Sequence, residues 1–182
     1  MRKTLESLLR QMRIGGKHEH DALLVLMNDK TGARRCIWGR NLVTAAGDVY
    51  YAQKACGEAP TNTFAKLYLA TACSEAGGNP TKTSNYSHFT VVAGSEKAAT
   101  ALYPKTNDDD ADNSGAGTTI VTWAFAYATG DGPFTAITHS FIAKSGAGTT
   151  NPILNGYKWG ASWAKDDYTS AKIFANHQIL GA

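Results

Sequence analysis

Three aspartates in one polar segment have the spacing of a calcium-binding loop. Asp108, Asp110 and Asp112 occupy alternate positions, from which oxygen ligands can surround a hard cation. The pattern then breaks, because Asn113 stands where such a loop requires glycine and Thr119 where it requires a bidentate glutamate. We therefore interpret the segment as a solvated acidic loop. Binding of a metal ion by these three aspartates is the weaker alternative. No cofactor is predicted.

The histidines do not form a recognisable metal site or catalytic pair. His18 and His20 flank Glu19, and on a strand two residues at this spacing point to the same side. A zinc site needs a third and a fourth ligand, and no pattern in the sequence supplies them, so this segment is interpreted as a polar linker. The other histidines stand alone and are interpreted as half-buried structural residues: His88, His139 and His177.

Signatures of nucleophilic catalysis and phosphate binding are also missing. No serine has GxSxG neighbours, and Cys36, Cys56 and Cys73 form neither a CxxC pair nor an even set. The glycine runs at 115–117 and 146–148 precede no GK[ST] sequence, so both are predicted to be loops. The sequence therefore predicts neither a zinc site nor a disulfide framework.

Polysaccharide hydrolysis would require two carboxylates that face each other across a cleft. Glu58, Glu75 and Glu96 lie in separate predicted loops or helix ends, and the sequence indicates no pairing between them. Four tryptophans and eight tyrosines could line a carbohydrate groove, but such residues also dominate cores and protein interfaces. We favour core and interface, predict no enzymatic activity, and keep a carbohydrate- or receptor-binding module as an alternative.

Alternating apolar residues predict a mainly β fold. In residues 118–129, Trp123, Phe125 and Tyr127 share one face while Ala124 and Ala126 share the other. Between the second and third strands, Thr44 is a predicted N-cap and Gly57 the end of a short helix. The predicted strands are 22–27, 34–38, 64–71, 118–129, 136–143, 157–163 and 172–180. This arrangement favours an antiparallel β-sandwich or a jelly-roll-like domain.

The N-terminal segment has the pattern of an amphipathic helix. Leu5, Leu8, Leu9 and Met12 recur at helical spacing, and the glycine pair at 15–16 ends the pattern. Residues 1–16 are therefore predicted to be a helical arm, and residues 17–182 a single β-rich domain. A short helix cannot bury its own apolar stripe, so these four residues are candidate interface residues, either on the arm's own domain or on a neighbouring subunit.

Composition favours a protein that contacts other proteins. Charged residues make up 18% of the chain, against about 25% in typical soluble domains. The net charge of +3 is too small to indicate specific nucleic-acid binding. Residues 1–13 lack the apolar region of a signal peptide, and no apolar run is long enough for a membrane span. We therefore expect synthesis in the cytoplasm and no membrane partner.

Three segments resemble small structural proteins of tailed bacteriophage virions. Residues 29–32 (DKTG) and 39–47 (GRNLVTAAG) resemble their hairpin turn "D-x-T-G" followed by "N-L-V-T-x-x-G" and a short helix. Residues 64–71 (FAKLYLAT) resemble their strand "Y-L-x-x-G", except that Thr71 or Ala72 replaces the glycine. A looser match runs from the acidic loop to residues 121–123 (VTW).

This resemblance implies a virion subunit present in symmetric copies. Head decoration or cementing is the first expectation, because a compact β domain with an arm and long polar loops suits a subunit that crosses neighbours on a shell. A neck, tail or fibre-adaptor protein is the alternative. The implied partners are copies of this chain and the major capsid protein or neck and tail proteins, after synthesis in the host cytoplasm.

Overall fold

The computed structural model describes residues 21–103 and 120–178. These contain nine strands, one α-helix and two single-turn 3₁₀ helices. The strands are β1 (Asp21–Asn28), β2 (Arg34–Val43), β3 (Lys66–Cys73), β4 (Phe89–Val91), β5 (Lys97–Tyr103), β6 (Ile120–Tyr127), β7 (Phe134–Ala143), β8 (Asn155–Lys165) and β9 (Thr169–Gln178). Helix α1 is Ala45–Ala55, and the 3₁₀ turns are Ala76–Gly78 and Tyr86–His88.

Eight strands form a closed antiparallel β-barrel. The order around the wall is β3-β5-β6-β9-β1-β2-β8-β7, and β7 pairs again with β3, for example at Tyr68 and Phe141. The short β4 lies outside this ring and pairs with the far end of β3, beside Ala70. Because the first and last strands of the ring pair with each other, there is one closed sheet.

The predicted β-sandwich or jelly roll is therefore wrong, although the mainly β prediction is confirmed. A sandwich needs two separate sheets, whereas the pairing of Leu67 with Ile142 closes this sheet on itself. Alternation along a strand shows which side chains share a face but does not show which strand is its neighbour. Strands β4 and β5 were not predicted, because one has three residues and the other, KAATALY, is rich in alanine.

Aromatic and branched side chains fill the barrel interior. Of the two predicted faces of β6, the one with Trp123, Phe125 and Tyr127 points inward, since all three belong to the interior cluster. Trp159 and Trp163 of β8 approach each other edge-to-face, with ring centroids 6.4 Å apart. The interior is therefore a packed core.

Helix α1 closes one end of the barrel. The predicted N-cap is confirmed, because the Thr44 hydroxyl oxygen accepts a hydrogen bond from the Gly47 N–H at 3.1 Å. Tyr50 and Tyr51 pack against the interior cluster, and the Trp123 indole N–H lies 3.1 Å from the Tyr51 hydroxyl oxygen. Since the wall is closed, the helix can reach the interior cluster only through the open end that it covers.

A second apolar cluster lies outside the wall formed by β3 and β7, and we call it the outer cluster. Phe141 stacks on Tyr68 with ring centroids 5.3 Å apart, and its ring centroid lies 4.6 Å from that of Phe89. The polar segment 73–86 covers part of this cluster, since its Ser84 is buried and Tyr86 packs on the cluster. The members are Tyr68, Ala70, Cys73, Phe89, Phe141, Ala143 and Ile153.

Several predictions fall on residues that the structure does not describe. The helical arm 1–16, with Leu5, Leu8, Leu9 and Met12, lies outside the described residues, as do His18, His20 and the acidic segment with Asp108, Asp110 and Asp112. Within 21–103 and 120–178, no helix combines the length and the apolar character needed to cross a membrane.

Candidate functional site

A serine, a histidine and a glutamate meet in the segment that covers the outer cluster. The Ser84 hydroxyl donates to Glu75 Oε1 at 3.0 Å, and His88 Nδ1 lies 3.4 Å from the same oxygen. The Asn85 backbone N–H donates to His88 Nδ1 at 3.0 Å, so this nitrogen carries no proton and cannot donate to Glu75. Because Ser84 bonds to the carboxylate rather than to the imidazole, the group ties its segment together and does not form a nucleophile–base pair.

His139 is buried on the outward side of β7. Its Nε2 lies 2.8 Å from the carbonyl oxygen of Gly78, and its Nδ1 lies 2.7 Å from the Thr138 hydroxyl. Burial is the main cause that lowers the pKa of His139, and the charge of nearby Lys158 lowers it further. The hydrogen bond to Gly78 raises this pKa but does not outweigh burial. The ring is therefore neutral near pH 7 and donates from Nε2, which fits the predicted structural role.

Lys158 reinforces the same attachment. Its Nζ donates to the carbonyl oxygen of Gly77 at 2.9 Å and to Asn79 Oδ1 at 3.0 Å. Together with His139 it fastens the turn at 77–79 to the wall. The side chains of His139 and Lys158 therefore have a structural role, which is to hold residues 77–79 against the barrel wall.

The glycine-rich loop after β7 is held by a carboxylate and a phenol. Glu96 accepts hydrogen bonds from the Ser145 hydroxyl at 3.0 Å and the Gly146 N–H at 3.1 Å. The Tyr68 hydroxyl donates to Glu96 Oε2 at 2.8 Å and accepts from the Ala147 N–H at 3.1 Å. Burial is the main cause that raises the Tyr68 pKa to about 12. The backbone N–H groups at 146–147 therefore already have partners, which fits the predicted loop.

A buried lysine closes the barrel end opposite α1. Lys165 is the last residue of β8, and its Nζ donates to the carbonyl oxygens of Thr129, Asp131 and Asp166. The Asp131 carboxylate pairs with Lys97 Nζ at 2.6 Å. Burial lowers the Lys165 pKa, while the Asp131 charge raises it in part. These contacts satisfy the ammonium group with carbonyl oxygens and seal this end of the barrel.

Strand β2 presents an exposed row that differs from these structural clusters. Ile37, Gly39 and Asn41 point inward and are buried, whereas the alternate residues point outward and are exposed. We call the outward row the β2 face, and it consists of Arg34, Cys36, Trp38 and Arg40. Trp38 is 42% exposed, while the other three tryptophans are at most 6% exposed. Tryptophan and arginine are the side chains enriched where protein interfaces hold most of their binding energy.

The sequence analysis assigned no role to the β2 face. Its signal is the alternation from residue 34 onward, in which Arg34, Cys36, Trp38 and Arg40 form one face of the strand. The predicted hairpin placed Trp38 correctly on the second strand. Which face pointed outward was decided only by the barrel, because both faces contain one large apolar residue.

The remaining candidates do not converge on a reaction centre. Glu75 and Glu96 belong to the two separate structural clusters described above, and Glu58 is exposed after α1. The backbone of His177 lies in β9. In the described part of the chain, no three His, Cys, Asp or Glu side chains are grouped so that they could hold a metal ion.

Comparisons with known proteins add no assignment to this geometry. No protein-family model, no curated protein and no solved structure matches the chain.

Proposed function

We propose that this chain is a structural protein of a bacteriophage virion, and specifically a decoration or cement subunit that packs against a capsid shell and its own copies. Two things support the proposal: the motif resemblance at 29–47 and 64–71, and the exposed β2 face. The β2 face is the observation on which it rests, because an exposed Trp38 on the same face as Arg34 and Arg40 is a composition suited to protein contact.

The motif residues have identifiable structural roles in the barrel. Asn28 Oδ1 accepts hydrogen bonds from the N–H groups of Lys30 and Thr31, and Gly32 has a φ of 66°, so DKTG forms the hairpin turn. Thr44 caps α1, and Gly47 brings the helix close to the wall. The residues behind the resemblance therefore build the hairpin and the helix of this fold.

A rigid barrel suits an architectural role. Its interior is filled, and the ionisable groups described above are engaged in holding covering segments and barrel ends. A preorganised surface loses little conformational entropy when it docks, so more of the contact energy remains as affinity. The β2 face lies on such a surface.

The first experiment measures the copy number and position of this chain in purified virions, by quantitative mass spectrometry against the major capsid protein and then by cryo-EM. Hundreds of copies on the shell support decoration. A few tens or fewer at the neck or tail would replace decoration with the adaptor alternative. No copies in the particle would refute a virion role.

A binding experiment tests the β2 face itself. Purified chain is added to particles that lack it, and we expect Trp38→Ser with Arg40→Ala to reduce occupancy at least tenfold. Val49→Ser is the matched control, because Val49 is a similarly exposed apolar residue on α1, at 51%. Equal occupancy for the double variant and the wild type would show that the β2 face is not the contact surface.

The exposed Trp38 also supports one competing function, a carbohydrate- or receptor-binding module, because an indole face can stack on a sugar ring. Retention of the isolated chain on host cells or a glycan array, abolished by Trp38→Ser but not by Val49→Ser, would favour this alternative.

A further inference from the structure

A strip of apolar residues crosses the outer surface of the barrel over four neighbouring strands. The strand register places Trp38 of β2 beside Leu23 of β1, Leu23 beside Phe174 of β9, and Phe174 beside Ala124 of β6. All four point outward, because their chain neighbours, such as Leu24 and Ile173, belong to the interior cluster. We call these four residues the outer strip.

Three members of the outer strip are buried although they face away from the barrel interior. Leu23 is 0% exposed, Phe174 is 5% exposed and Ala124 is 6% exposed in the single chain. None of them belongs to the interior cluster or the outer cluster. Cross-strand neighbours shield the sides of an outward side chain, but its tip stays open to solvent unless other atoms lie over it. Something beyond the two clusters therefore covers the strip.

The outward side chains of β1 become more exposed from the start of the strand towards its end, which indicates where the atoms that cover the strip come from. Leu23, near the start of the strand, is fully buried, whereas Val25 and Met27 on the same face are only partly buried. The cover is therefore most complete close to the point where the chain enters β1.

Three segments of the chain lie outside the described residues: 1–20, 104–119 and 179–182. Residues 104–119 contain no large apolar side chain, and residues 179–182 are too few to form a helix. Only residues 1–20 have four large apolar residues at helical spacing, and they lead directly into β1. A helix of 12 residues is about 18 Å long, and four strands span about 14 Å, so the dimensions agree.

The connection from this segment to β1 is long enough to reverse direction. Residues 14–20 provide seven residues, which reach about 23 Å when extended. Gly15 and Gly16 permit the backbone conformations that a reversal needs. The segment can therefore reach the outer strip of its own molecule without exchange between subunits.

We propose that the N-terminal segment, residues 1–16, lies across the outer strip of its own barrel, with Leu5, Leu8, Leu9 and Met12 against Leu23, Phe174 and Ala124. This inference does not rest on the proposed function. It selects one of the two docking sites that the sequence left open, and it leaves Trp38 as the exposed border of the covered strip.

Photo-crosslinking on the full chain tests the contact. A benzophenone amino acid replaces Leu9 in one sample and Arg10, on the opposite face of the predicted helix, in the control sample. Equal amounts of ¹⁴N- and ¹⁵N-labelled chain are mixed before irradiation, and crosslinked peptides are mapped by mass spectrometry. We expect position 9 to crosslink to peptides with Leu23, Ala124 or Phe174 within single-isotope molecules, and position 10 to give at least fivefold less of these products.

Two outcomes would overturn the proposal. Mixed-isotope crosslinks to the strip would show that a second copy supplies the segment, and crosslinks only to other regions would show that something else covers the strip. A double-mutant cycle gives independent evidence from stability. Leu9→Ala and Phe174→Ala should together lower the denaturation midpoint by less than the sum of their separate shifts, while Arg10→Ala and Phe174→Ala should add. Additivity in the first cycle would also contradict the contact.

Discussion

Two buried serines, Ser95 between β4 and β5 and Ser140 in β7, differ in what their hydroxyl groups contact. The Ser95 hydroxyl accepts from the Leu69 N–H at 3.0 Å and donates to the Val92 carbonyl oxygen at 2.7 Å. The Ser140 hydroxyl has no hydrogen-bond partner among the described residues. Both residues are at most 1% exposed, so they differ in hydrogen bonding but not in burial.

We expect Ser140→Ala to stabilise the protein by about 1 kcal/mol, because the change removes a buried hydroxyl that has no partner. Ser95→Ala is the matched substitution, and it should destabilise by about 1–3 kcal/mol because it leaves the Leu69 N–H unpaired. Urea denaturation of both variants measures these changes. A loss of stability in Ser140→Ala similar to that in Ser95→Ala would contradict the assignment.

Glu96 should make stability depend on pH in the acid range. Desolvation raises its pKa, but hydrogen bonds from Tyr68, Gly146 and Ser145 and the charge of Lys66 outweigh it, so the pKa lies below 4.5. A lowered folded-state pKa stabilises the fold above the unfolded-state pKa, and this stabilisation is lost as pH falls through the folded-state pKa. Glu96→Gln should therefore be less stable than the wild type near pH 7, with the difference shrinking below pH 4.5.

Thermal denaturation between pH 3 and pH 7 measures this difference, and Glu58→Gln is the control because Glu58 is exposed. A difference between Glu96→Gln and the wild type that does not change with pH would show that the carboxylate charge is unimportant.

At the scale of elements, helix α1 lies so close to the end of β2 and to Leu154, the residue before β8, that one glycine is required. A Cβ atom on Gly47 would lie 2.1 Å from the carbonyl oxygen of Leu154 and 2.7 Å from Val43 Cγ1. Both contacts are far shorter than real Cβ contacts, so the helix end must move if the glycine is replaced.

We expect Gly47→Ala to destabilise the protein by about 2 kcal/mol or more, although alanine normally stabilises a helix relative to glycine by about 1 kcal/mol. Gly130→Ala is the control, since no atom lies within 4 Å of its added Cβ. The denaturation midpoints of Gly47→Ala and Gly130→Ala, each compared with the wild type, measure this effect. An unchanged midpoint in Gly47→Ala would mean that α1 is not seated on Leu154 as described.

Most elements were predictable because their signals are local. The N-cap at Thr44, the strands β1 and β2 and the two alternating faces of β6 follow from residues next to each other in the chain. Strand β5, KAATALY, was missed because alanine, its commonest residue, is depleted in strands. It forms there because Lys97 and Ala98 pair with β3 and residues 99–103 pair with β6.

At the scale of the whole molecule, residues 139–143 of β7 are buried on both sides. Ile142 points into the barrel interior, and its neighbour Phe141 points into the outer cluster, yet both are 0% exposed. The molecule therefore has two apolar clusters that share the wall formed by β3 and β7.

We expect Phe141→Ala and Ile142→Ala each to destabilise the protein by about 3 kcal/mol, because both remove packed side chains. Thr135→Ala on the same strand is exposed and should change the free energy of unfolding by less than about 0.5 kcal/mol. Chemical denaturation measures all three. A small effect for Phe141→Ala alone would mean that the segments outside β7 do not bury it.

The sequence by itself determined the mainly β class, the helix after Thr44 and the division of strands such as β6 into two faces, because these follow from alternation and capping between near neighbours. Only the tertiary structure decided that the sheet closes, that Phe141 lies under a second cluster, and that Glu96, Tyr68 and residues 145–147 meet. It also decided that Trp38 is the exposed tryptophan. These features depend on which distant strands pair, and the period of a strand is the same in a barrel and in a sandwich.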